Sequence, residues 1–205
     1  VRAVAGIDPE PDMLARARQA AAEDGATNTS WLIGADIDMA AVGALLGEKS
    51  LGAVTIAQAL HWMSPDTLFP ALAPLVRSGG GVAVVTNGTP LWLQDSDWSR
   101  ALRETLQHWM GTRLTRTCGT DEQSQRRYAD ALTASGFQVA TDSVDYTDTL
   151  DMDRIVGGVY SALSVDRLPA PEQRPQFAEL IRGALAPHAP FTEHVHVTLL
   201  TGRTA

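Results

Sequence analysis

Lysine is almost missing from this chain: Lys49 is the one example among 205 residues, and arginine supplies the rest of the 16 basic side chains. Acidic residues number 24, for a formal net charge of −8. Such a surface repels phosphate backbones and anionic membranes, which argues against nucleic acid or a membrane surface as partner. Cysteine is equally scarce. The single Cys118 excludes an internal disulfide and any Cys-x-x-Cys metal site, so a reduced, cytoplasmic setting is the expectation. A lone thiol reads as a buried packing group before it reads as a nucleophile. No apolar run approaches the roughly 20 residues that span a bilayer. No initiator Met, polar lead-in or signal peptide precedes "VRAVAGIDPEPDMLARAR" (1–18), which opens inside folded structure. What is present is ordinary by contrast: 44% hydrophobic and 20% charged residues describe a globular protein, of a length that suits one domain with a sizeable core.

Short apolar runs alternate with amphipathic stretches. Val4–Ile7 reads as a strand, after which Met13, Leu14, Ala17 and Ala21 recur at helical spacing. "TSWLIGAD" (29–36) predicts a second strand and "MAAVGALLG" (39–47) a short helix stopped at Gly47. "LGAVTIAQAL" (51–60) predicts a third strand; residues 64–76 predict a helix with Ser64 as N-cap and Pro65 in its first turn. "SGGG" (78–81) reads as a turn into a fourth strand, "VAVVTN" (82–87). Continuous apolar strands alternating with helices imply a parallel sheet covered on both faces. The second half predicts helices over 95–110, 122–135, 151–163 and 171–186, and strands over 137–147 and 192–203. Neither an internal repeat nor a long linker divides the chain, so a single α/β domain over 1–205 is expected.

In open α/β sheets, ligands bind beyond the carboxyl ends of the strands. Asp8 stands at such an end. It suits two roles, a cap for the helix opened by Pro11 or a carboxylate accepting hydrogen bonds from a ribose diol. The glycines at 79–81 invite a phosphate-loop reading, but they precede their strand and lack the Lys and Ser/Thr of a P-loop. His61, in "AQALHWM" (57–63), is a candidate general base because its ordinary pKa lies near neutrality; packing against Trp62 is the plain alternative. His194 and His196 share a strand face without a third ligand at suitable spacing, so no metal site is expected. Trp92, Trp98, Trp109 and Tyr160 read first as core.

"GIDPEPDMLARAR", "LIGADIDM", "LGAVTIAQALHWM", "LAPLVRSGGGVAVV" and "LTASGFQV" follow one another in order, and together they resemble class I S-adenosylmethionine-dependent methyltransferases. The likeness is to small-molecule enzymes of the type 11, trans-aconitate and UbiE-like kind, and it runs along essentially the whole chain. It implies a Rossmann-like sheet, mostly parallel with an antiparallel last strand, with S-adenosyl-L-methionine as cofactor. It assigns the ribose to Asp8 and the adjoining Pro9, adenine packing to Met13, and adenine hydrogen bonding to Asp36 and the Ile37 N–H. Ala57 and Gln58 would lie beside the sulfonium. His61 and Trp62 would meet a small-molecule acceptor, with Trp92, Arg154 and Tyr160 as further acceptor contacts, and 88–135 and 147–190 would supply acceptor-side helices. Glu10 stands where the pattern carries Ser, which weakens the helix cap. The pattern also places a strand, a Gly-rich loop and a helix ahead of Val1, so the resemblance implies an N-terminally truncated domain with two unpartnered strand edges. The implied reaction is methyl transfer to oxygen, of a hydroxyl or a carboxylate. Two other readings stand beside it: a non-catalytic binding or regulatory module, and a nicotinamide-dependent dehydrogenase, whose ribose is also held by an Asp after a second strand.

Overall fold

The computed structural model describes residues 1–164 and 167–204. Val165 and Asp166, within the expected 147–190 helical stretch, lie outside the described residues. The elements run β1 (Val4–Asp8), α1 (Pro11–Glu23), β2 (Thr29–Ile33), α2 (Met39–Leu46), β3 (Leu51–Ala57), α3 (Pro65–Leu72), β4 (Val76–Asn87), α4 (Asp97–Met110), α5 (Glu122–Ala134), β5 (Gln138–Leu150), α6 (Met152–Ala162), α7 (Arg174–Leu185) and β6 (Phe191–Arg203). The class is α/β. β1 pairs with β2 and β3 with β4, both in parallel, while β6 runs antiparallel between β4 and β5. Among the described residues the strands form two ladders, β1-β2 and β3-β4-β6-β5, so β1 does not pair with β3.

Several boundaries differ from those the sequence predicts. The second strand stops at Ile33, and Asp36–Asp38 forms a 3-10 turn. The third stops at Ala57, with a further 3-10 turn over Leu60–Trp62. The helix expected over 64–76 ends at Leu72, and Ser64 makes no side-chain cap; its N–H instead donates to Asp36 Oδ2 at 3.1 Å. The glycines at 79–81 are not a turn ahead of a strand. They lie inside β4, where the pairing advances two residues along β3 and five along β4, from Leu51↔Val76 to Ala53↔Gly81. The reason is steric. A Cβ on Gly80 would sit 2.6 Å from the Gly52 carbonyl oxygen, and one on Gly81 would sit 2.5 Å from that of Gly202. Only glycine lets the bulged strand approach both neighbours this closely.

Two apolar clusters form. Phe69, Leu72, Val82, Val84, Leu132, Phe137 and Leu200 join α3 and α5 to the sheet. Trp98, Leu102, Leu106, Ile155, Val159, Phe177 and Ile181 hold α4, α6 and α7 together. α4 packs most extensively against α7, consistent with its strongly one-sided apolar stripe of Trp98, Leu102 and Leu106. β6 shows why one strand needs two patterns: His194 and His196 are exposed opposite buried Val195, whereas Leu200 and Gly202, on the histidine side of the pleat, are buried. Helical cover reaches the second half of β6 on that side, but not the first.

Candidate active site

Three strand ends carry the residues singled out for the cofactor. Asp8 closes β1, Asp36 follows β2 by three residues, and Ala57 and Gln58 close β3. In each parallel ladder this is the carboxyl edge, where the chain leaves the sheet and backbone groups lose their ladder partners. Asp8 Oδ1 accepts the Glu10 N–H at 2.8 Å, which turns the chain into α1; Glu10 occupies the N-cap position without a side-chain cap. Asp36 Oδ2 accepts the Ser64 N–H, tying the β2 end to the start of α3. Gln58 adopts a left-handed φ of 48°, and its side-chain oxygen accepts the Asn87 N–H at 2.8 Å, locking the ends of β3 and β4 together. Met13 and Ile37 are 53% and 85% exposed, and Pro9 is exposed beside Asp8.

The segment that begins two residues after Gln58 lines a cavity of about 290 Å³, which is walled from two directions. The segment after β3 contributes Leu60, His61, Met63 and Pro65; the loop between α4 and α5, with the start of α5, contributes Arg116, Cys118, Gly119, Ser124 and Tyr128. His61 stacks obliquely on Trp62, ring centroids 5.0 Å apart, and the Arg116 guanidinium lies 3.5 Å above the Trp62 ring centroid. Burial and the nearby Arg116 charge push the His61 pKa down to about 4. Its imidazole is therefore neutral at physiological pH and free to accept a proton or hydrogen bond. Burial raises the Cys118 thiol, with Arg116 opposing, and burial and Asp121 raise Tyr128.

The loop is held by short-range chemistry. Asp121 caps α5 through the Ser124 N–H at 2.9 Å and also accepts the Thr117 hydroxyl at 2.5 Å and the Ser124 hydroxyl at 2.7 Å. These bonds hold its pKa down at about 2. Gln125 donates to the Gly119 carbonyl at 2.7 Å and to the buried Thr86 hydroxyl at 3.0 Å, joining the loop to β4. Cys118 and Gly119 both take left-handed backbone, at φ 53° and 77°. A Cβ on Gly119 would stand 2.5 Å from Tyr128 Oη and 3.1 Å from His61 Cβ. Gly119→Ala is expected to push the loop off His61 and to cost about 1–3 kcal/mol from combined strain and overpacking. Urea denaturation measures the loss; a change below roughly 0.5 kcal/mol would show that the loop is not seated as described.

His61 also makes stability pH-dependent. Its folded pKa is below the unfolded value of about 6.5, so the unfolded chain binds more protons between pH 6.5 and about 4. This contribution is complete above pH 6.5 and is lost as pH falls toward 4. NMR titration of the His61 ring is expected to give a midpoint near 4, and Arg116→Gln is expected to raise it. A wild-type midpoint near 6.5 would contradict the burial.

Of the residues expected at the acceptor only His61 lines this cavity; Trp62 stands behind it against His61 and Arg116, and three others are engaged elsewhere. Trp92 is 1% exposed and sits inside the α4–α6–α7 cluster. Arg154 pairs with Asp148 at 2.8 Å on the surface. Tyr160 donates to the Arg174 carbonyl and packs edge-on against Phe177. Each is already occupied by structure. His196 pairs with Asp145 at 2.6 Å and His194 meets Thr147 at 3.0 Å, away from the cavity. Conversely, the 111–121 loop supplies half of the cavity, and the sequence marks only its Cys118, as a packing group. Its signal in the sequence is faint: a polar, Arg- and Gly-bearing stretch between two amphipathic helices.

No protein-family model and no curated protein matches this sequence. Solved structures do resemble it. The YcgJ protein of Bacillus subtilis is 14% identical, with a TM-score of 0.58 over 100% of this chain and 84% of its own. A proposed methyltransferase from Bacillus halodurans C-125 is 12% identical, with a TM-score of 0.54 over the same shares of the two chains. The [4+2]-cyclase SpnF is 16% identical, with a TM-score of 0.51 over 98% of this chain and 66% of its own. The fold is thus a Rossmann-like α/β fold shared with these proteins. One of them is named for a cyclisation, which is the general lesson that chemistry resides in the site and not in the fold.

Proposed function

We propose that the chain is an S-adenosyl-L-methionine-dependent methyltransferase acting in the cytoplasm on an oxygen of a small-molecule acceptor. One observation carries this reading: Asp8 and Ala57–Gln58 stand at the carboxyl ends of parallel strands and Asp36 three residues beyond the end of another, and the segment that follows Gln58 lines a cavity with a neutral histidine. The residues suit the cofactor. Asp8 and Asp36 each commit one oxygen to a backbone N–H and, among the described residues, make no hydrogen bond through the other. Asp8 would then accept from ribose hydroxyls, and Asp36 would accept a hydrogen bond from the adenine amino group. The Ile37 N–H belongs to the first turn of its 3-10 segment, where donors have no intrahelical partner. The exposed Met13 and Pro9 supply apolar cover.

When bound, the cofactor supplies a methyl group on a positively charged sulfur, an electrophile that needs no further activation. The chain's own residues position the acceptor in line and manage its proton. With a hydroxyl acceptor, His61 would be the group that accepts its proton. With a pKa near 4, His61 is a weak base that is always unprotonated at neutral pH, so it orients the hydroxyl before the proton moves. A carboxylate acceptor needs no base.

A binding module without turnover is the second reading, favoured by the break between β1 and β3 that leaves Asp8 and Gln58 on separate ladders. Isothermal titration with S-adenosylhomocysteine tests the pocket. Saturable binding, followed by methyl transfer to an acceptor, supports the enzyme. Binding without turnover on any acceptor leaves a module that keeps the cofactor, and no binding by the folded chain overturns the enzyme and favours a module that has lost the cofactor loop.

A further inference from the structure

Arginine is the side chain best suited to meet an anionic small molecule, and the partners of six candidates separate them. Arg100 is held by Asp95 and Asp97, Arg126 by Glu122, Arg127 by Asp66 at 2.7 Å and Arg154 by Asp148. Arg113 is exposed and does not line the cavity. Arg116 does line it, is partly buried, and among the described residues has no carboxylate within ion-pair distance. Its one described contact is the face of Trp62. Stacking occupies the flat side of a guanidinium and leaves its in-plane N–H fork available, the geometry that matches a carboxylate.

The surroundings sharpen the point. Of the other titratable groups in the cavity, His61, Cys118 and Tyr128 are uncharged at neutral pH, and Arg127 is balanced by Asp66. Asp121, behind the lining, has its oxygens engaged by Thr117 and Ser124. One charge therefore faces the cavity unanswered, and it is positive, in a chain whose net charge is −8. A partly desolvated, unpaired cation is unfavourable unless a ligand completes it.

We infer that the cavity takes a small molecule bearing a carboxylate, and that Arg116, steadied by Trp62, is the residue that recognises it. As an account of the acceptor this rests on the methyltransferase reading; as an anion site it does not. About 290 Å³ restricts the ligand to a compact molecule.

The test titrates the full chain with lactate, salicylate and 4-hydroxybenzoate, each beside its neutral amide, following the Trp62 indole and His61 ring resonances. At least one acid is expected to bind saturably and at least tenfold more tightly than its amide. Arg116→Gln should remove that preference, Arg116→Lys should keep part of it, and Arg113→Gln should leave it intact. The inference is overturned if no acid is preferred over its amide, or if the preference survives in Arg116→Gln. S-adenosylhomocysteine is titrated in parallel. Its binding without any acid preference overturns this inference and spares the methyltransferase reading. An acid preference without its binding upholds the anion site and removes that reading.

Discussion

Asp8→Ala is expected to weaken S-adenosylhomocysteine binding by about 100-fold. The magnitude follows from the proposed role: a carboxylate at the end of β1 would accept from two ribose hydroxyls, and each hydrogen bond to a charged group is worth about 1.5–3 kcal/mol. A combined loss near 3 kcal/mol corresponds to about two decades in affinity. The substitution also removes the acceptor for the Glu10 N–H, so part of the effect could come from a loosened turn into α1. Asp8→Asn separates the two, because its side-chain oxygen still accepts from Glu10 while the negative charge is gone. Asp8→Asn should therefore melt like the parent chain and still bind at least tenfold more weakly. Equal affinities for the parent and Asp8→Ala would remove Asp8 from the cofactor site and with it the main support for the proposed chemistry.

The largest stability effect belongs elsewhere. Phe177 is 0% exposed in α7, its ring centroid 5.1 Å from that of Trp109 and 5.6 Å from that of Tyr160. Phe177→Ala leaves a cavity among α4, α6 and α7 that rigid helices cannot close, at a cost of about 3–5 kcal/mol. For a chain of this size, about 2–4 °C of melting temperature is lost per kcal/mol, so a fall of roughly 6–20 °C is expected. The Phe177 cluster reaches the candidate cavity through Cys118, but Ile7, Ile56 and Leu60, at the strand ends expected to hold the cofactor, belong to the other cluster. Affinity for S-adenosylhomocysteine, measured well below the transition, should accordingly be retained. A loss under about 1 kcal/mol would mean that this cluster repacks freely and does not anchor the three helices.

The alternation of strands and helices was legible because periodicity is a local property. Val4–Asp8, Leu51–Ala57 and Asp97–Met110 arise where apolar spacing and terminal residues agree. Pro11 begins α1 and Gly47, at φ 81°, ends α2 for reasons contained within a few residues. Asp8 could likewise be placed at a strand end from its position alone, whereas the apolar pattern carried the next two strands past their ends at Ile33 and Ala57, to 36 and 60. The glycine run at 79–81 shows where local reading fails. Its residues look like a turn in every neighbouring context, and only contact with Gly52 and Gly202, remote in the chain, keeps them in a strand.

The same distinction governs the candidate site. Residue order and spacing by themselves determined the class of fold, the strand ends that could hold a nucleoside, and His61 and Trp62 as neighbours. Tertiary structure decided that Trp92 and Tyr160 are committed to packing and that Arg154 is committed to Asp148. It also decided that Arg116, chemically identical to the arginines around it, is the one brought over Trp62 without a carboxylate of its own. The physical reason is that helix and strand propensities are set within a few residues. Whether a charge is answered depends on partners that only folding brings within reach.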